Sequence, residues 1–81
     1  MNELALTFLV IEERRRQDEE FGMQNHADLK WLAILGEEFG EASKAIVEAD
    51  DKNPDNLMAE LIQCAAVCFA WIDCINRRGQ Q

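Results

Sequence analysis

The chain has 81 residues, 48% of them hydrophobic and 30% charged, with one proline and four glycines. That length holds one small domain, and such a chain buries only about 60% of the surface it exposes unfolded, so a partner subunit would help it. Eight Lys+Arg against sixteen Asp+Glu give a formal charge of -8. The sign argues against nucleic-acid polymers and anionic membrane surfaces as partners. An absence of tyrosine and a single threonine, with so little glycine and proline, disfavour an all-β chain.

The N-terminal run Leu4 to Ile11 is too short to span a bilayer and lacks the basic start and small-residue cleavage site of a secretory signal. Cys64, Cys68 and Cys74 fall within eleven residues of one expected helix. They make neither a disulfide framework nor a CxxC metal pair, and read as small buried groups in a reducing cytoplasm.

Three helices are expected. The first runs from about Glu3 to Glu20 and stops at Gly22. The second covers about Ala27 to Ala49, with Asn25 as its N-cap. Asp50 to Asn53 form a turn, and Asn53-Pro54 start the third helix, which continues to about Arg78. Arg77 and Arg78 suit its negative end.

The second helix carries a stripe of Leu32, Leu35, Phe39, Ala42 and Ile46, read as its core face. Glu38 lies roughly 70° from the stripe's centre and Glu41 roughly 130°, whereas Glu37 falls nearly opposite and faces water. Trp31 and Ile34 stand one heptad before Glu38 and Glu41, so those carboxylates share a face with large apolar groups. The third helix is apolar nearly all round from Leu61 to Ile72. Three short helices cannot bury it, which points to an all-α, four-helix-type bundle completed by oligomerisation.

Two polar dyads stand in this apolar setting. Glu38 and Glu41, and likewise Glu60 and Gln63, are three apart and so adjacent on their helices. If the second and third helices fold back on each other, Glu41 and Glu60 differ in height by only about 3 Å. Crowded carboxylates of this kind suit a hard cation, Mg²⁺ or Mn²⁺. Gly36 and Gly40 interrupt the same helix, each at roughly 1 kcal/mol against alanine, and suggest close helix approach or room for a ligand. A di-iron bundle would need a Glu-x-x-His, which neither dyad contains.

Leu35-Gly36-Glu37-Glu38-Phe39-Gly40-Glu41-Ala42 followed by Glu60-Leu61-Ile62-Gln63 resembles the EExxE…ExxD signature of the MazG-like all-α nucleoside triphosphate pyrophosphatases. The resemblance extends from Glu13-Arg14-Arg15-Arg16-Gln17-Asp18-Glu19-Glu20-Phe21-Gly22 and His26 to Ala65-Ala66-Val67 and Trp71-Ile72. It implies a homodimer or homotetramer that hydrolyses a nucleoside triphosphate to monophosphate and pyrophosphate with Mg²⁺. By position it makes Glu38, Glu41 and Glu60 metal ligands and Glu37 a further motif residue. Gln63 stands where the family has aspartate and offers only a neutral oxygen.

In that reading Glu41 takes a proton from the attacking water, and Lys30 is the candidate cation for the departing pyrophosphate. Phe21, His26 and Trp31 are the candidates for the nucleotide pocket. Arg14, Arg15 and Arg16 point three ways on a helix and cannot all meet one phosphate. Two other readings stay open: a catalytically weakened nucleotide or metal sensor, motivated by Gln63, and a plain helical interaction module.

Overall fold

The computed structural model describes residues 1–48 and 56–79. The expected turn at Asp50 to Asn53, the Asn53-Pro54 helix start and the end of the second helix at Ala49 lie outside them. The described residues form three helices and no strand: α1 (Glu3–Phe21), α2 (Asp28–Val47) and α3 (Asn56–Arg78). The fold is all-α.

Asn2 caps α1 by accepting a 2.9 Å bond from the Ala5 amide. Gly22 ends it at φ 72°, a left-handed conformation that favours glycine. Asn25 does not cap α2, which has no side-chain cap. Its Oδ1 instead accepts from Arg77 Nη2 at 2.9 Å. Arg77 also donates to the Gln24 carbonyl at 2.9 Å and pairs with Asp73, while Arg78 pairs with Asp28. The two arginines read as dipole and solubility residues therefore clasp the start of α2 to the end of α3.

α3 is the middle layer, packed by α1 on one flank and α2 on the other, and among the described residues α1 and α2 do not approach each other. Arg14 ties α1 to α3 through Asp73 at 3.7 Å, Arg15 pairs with Glu12, and Arg16 pairs with Glu13 and Glu20. The core is small. Trp31 is 1% exposed against Val67 and Cys74, with Ile34, Leu35, Ala70 and Trp71 around them.

The stripe read as the core face of α2 is only partly so. Ala42 is buried and Leu35 half-buried, but Leu32, Phe39 and Ile46 are exposed by 56%, 69% and 61%. Trp31, Ala42 and Ala45 are the residues that bury, because the small alanines let α3 approach closely. Gly36 and Gly40 have nothing within 4 Å of an added Cβ, so close packing among the described residues does not require glycine there. Cys74 is buried and Cys64 and Cys68 half-buried, all as free thiols.

The layer is incompletely covered. Its radius of gyration is 13.9 Å, against about 12 Å for a compact chain of this length. Its accessible surface is 6094 Å², against about 5,000 Å² for a folded monomer of this mass.

Candidate functional site

Because α3 separates α1 from α2, a cleft opens between those two helices with α3 as its floor. A cavity of about 450 Å³ occupies it. Arg16, Gln17, Glu20 and Phe21 form the α1 wall, Trp31, Ile34, Glu37 and Glu38 the α2 wall, and Val67 and Ala70 the floor. The volume falls in the range of small-molecule sites, about 300–1,000 Å³.

Glu38 is the central acid. It is half-buried, and its Oε2 is shut off from water with no hydrogen-bond partner. The Oε2 of Glu60, across on α3, is in the same condition. Burial pushes the Glu38 carboxyl above its usual range, and the charges of Glu60, Glu41, Glu13 and Glu37 push it further. Cys64 is raised as well, first by burial and then by Glu38 and other neighbours. The sequence spacing did not anticipate Glu13, which enters from α1 with a side chain only 12% exposed.

The other expected residues are spread more widely. Glu41 is exposed, within electrostatic reach of Glu38. Glu37 is exposed as expected, yet lies on the cavity rim. Gln63 is half-buried in a second groove, between α1 and α3, beside Glu12, Glu13 and Arg16. Among the described residues no three His, Cys, Asp or Glu side chains stand close enough to hold a metal ion unaided. The unpartnered oxygens of Glu38 and Glu60 are hard donors of the type that divalent cations take, although Glu60 lines none of these cavities among the described residues.

Phe21 is exposed on the cavity wall and Trp31 is buried beside it. The Trp31 Nε1–H has no well-formed partner. It leans on the Cys74 sulfur, and this contact, followed by those from the His26 backbone and Arg78, holds the Cys74 thiol below its usual range. His26 packs its ring edge on Trp31 at 4.9 Å and meets Gln24 Oε1 at 2.8 Å, but lines a different cavity, near Cys74 and Arg77. Lys30 is exposed and borders none of these three cavities among the described residues. The cationic group on the main cavity is Arg16, which sequence reasoning missed. Its one available signal was its place five residues before Phe21, between Glu13 and Glu20.

The raised Glu38 carboxyl has a consequence for stability. The folded chain holds this proton more tightly than the unfolded one, so stability falls as pH rises through the window between the ordinary carboxylate range and the raised value. Without divalent cations, Glu38→Gln should therefore be more stable than the wild type at neutral pH. Solvent screening of this partly exposed carboxylate keeps the gain to about 0.5 kcal/mol, or about 2–4 °C in Tm. It should shrink as pH falls towards about 4. Thermal melts in chelator across that range check this, and a lower Tm for Glu38→Gln at neutral pH would refute it.

Comparison with models of known families, with curated proteins and with solved structures gives no match to this chain.

Proposed function

We propose that this chain is a divalent-cation-dependent nucleoside triphosphate pyrophosphatase of the MazG-like all-α kind, acting in nucleotide-pool housekeeping in the cytoplasm. The supporting observation is the pair of unpartnered buried carboxylate oxygens of Glu38 and Glu60, beside a nucleotide-sized cavity with an aromatic wall. An acid so crowded is costly in the free protein, and a cation relieves that cost. The resemblance of the EExxE and ExxQ segments supplies the reaction class.

Glu38 and Glu60 would hold the cation, joined by Glu41, exposed one turn on from Glu38. Bound Mg²⁺ supplies charge neutralisation of the triphosphate and acidifies a water near the α-phosphorus. Glu41, exposed and beside Glu38, accepts the water's proton. Phe21 offers an exposed apolar face to the base, and the buried Trp31 backs that end from the core and helps exclude water from it. Gln63, one groove away, contributes a neutral amide and no charge. The pairing of that groove with Glu13 makes a weakened sensor the second reading.

The test is phosphate release from a panel of nucleoside triphosphates with inorganic pyrophosphatase added. Mg²⁺-dependent release is expected. Nucleotide binding without release would leave the sensor, and neither binding nor release would leave a helical module.

The active form is proposed to be a homodimer or homotetramer. Leu32, Phe39 and Ile46 lie on the flank of α2 away from the cavity, and Leu61 and Ile72 are exposed on α3. The excess surface noted above, about 1,100 Å², exceeds the area one partner buries in a standard interface, about 800 Å². Phe39→Glu should shift the chain to monomer in analytical ultracentrifugation. A wild type already monomeric at micromolar concentration would remove this part of the proposal.

α3 is long and apolar enough to cross a membrane by length and composition, with a mean hydropathy of 1.6. Its charge-free stretch Leu61 to Ile72 rises only about 18 Å, against a hydrocarbon core of about 30 Å. It is also flanked on both sides by packed helices. These features support the non-membrane reading.

A further inference from the structure

We infer that Arg16 binds the phosphate chain and thereby fixes the direction of the nucleotide, phosphates at the Arg16–Glu38 end and base at the Phe21–Trp31 end; this rests on the pyrophosphatase reading. The cavity has two unlike ends. Arg16 faces the acidic end, where Glu37 and Glu38 lie opposite, and Phe21 stands five residues further along α1, about 7.5 Å up its axis.

Arg16 is held ready. Its Nε and Nη2 donate to Glu13 at 2.7–2.9 Å, and its Nη1 donates to Glu20 at 2.8 Å. Both partners are on its own helix, and the guanidinium is 54% exposed. The Glu20 pair is exposed and of a spacing that contributes little, whereas the bidentate Glu13 pair, on a carboxylate 12% exposed, fixes the guanidinium in place. A polyphosphate presents more charge than the exposed Glu20 carboxylate, so it takes the place of Glu20 on the guanidinium while Glu13 keeps the group in position. Lys30 borders none of the three cavities among the described residues and cannot take this role from its present position.

The experiment measures binding of inorganic tripolyphosphate with Mg²⁺ by calorimetry, and KM and kcat with the best nucleoside triphosphate. The proteins are wild type, Arg16→Ala, Arg16→Lys and the control Arg15→Ala, each checked for an unchanged helical spectrum. Arg16→Ala should weaken tripolyphosphate binding and raise KM by about tenfold or more, the weight of one charge-assisted contact, with a smaller change in kcat. Arg16→Lys should restore part of it, Arg15→Ala should match wild type, and binding of the uncharged nucleoside should not move. A working wild type with an Arg16→Ala that binds tripolyphosphate equally well overturns the inference alone. So does an equal loss of nucleoside binding, which would make Arg16 structural. A wild type that binds neither tripolyphosphate nor any nucleotide overturns the inference and the pyrophosphatase reading together.

Discussion

Glu38→Ala is expected to lower nucleoside triphosphate turnover on the order of 10³-fold, about 4 kcal/mol of barrier. Glu38 is where three effects meet: burial, an oxygen with no partner, and the charges of Glu60, Glu41, Glu13 and Glu37 around it. Its removal takes away the inner wall of the proposed cation site while leaving the Trp31 core in place. Glu60→Ala should do nearly as much. The fold should survive both changes, since neither side chain makes a hydrogen bond through that buried oxygen. Steady-state kinetics with a matched melting curve separate the two effects. Turnover within about threefold of wild type in a well-folded Glu38→Ala would show that the carboxylate has no part in the chemistry.

Trp31→Ala is expected to unfold the chain. The indole is the largest fully buried side chain among the described residues and packs on Val67 and Cys74 from α3. Truncating a buried tryptophan costs about 3–5 kcal/mol, and a small domain has little more than that, about 5 kcal/mol at the low end. Trp31→Phe keeps most of the volume and deletes an N–H that lacks a well-formed partner, so its cost should be under about 1.5 kcal/mol. Helical circular dichroism against temperature distinguishes these outcomes. A Trp31→Ala protein melting within a few degrees of wild type would mean that the core lies elsewhere.

Much of this was legible in the sequence because it is local. Gly22 marked the end of α1, and the i,i+3 spacing of Glu38 and Glu41 put them side by side before any packing was known. What was illegible depends on how helices meet. The apolar stripe of α2 is stronger in Leu32, Phe39 and Ile46 than in Trp31, Ala42 and Ala45, yet the latter bury against α3. A helix with two apolar flanks has a periodicity that does not say which flank its own chain covers. Gln63 went to the α1 groove because α1 docks on that side of α3, a choice no spacing encodes. The Arg77–Asn25 clasp joins residues 52 apart, so Asn25 was read as the local cap its type suggests. Lys30 and Arg16 traded places as the cation for the same reason: only the docked helices show which faces the cleft.

The central claim is that Glu38 and Glu60 together grip a divalent cation, and titration calorimetry tests it most directly. MgCl₂ or MnCl₂ is added to the wild type, to Glu38→Gln and to Glu60→Gln, each with a non-hydrolysable nucleoside triphosphate present. The account predicts saturable heat beyond that of the nucleotide alone in the wild type, and its loss in both variants. Equal heats from all three proteins would contradict it.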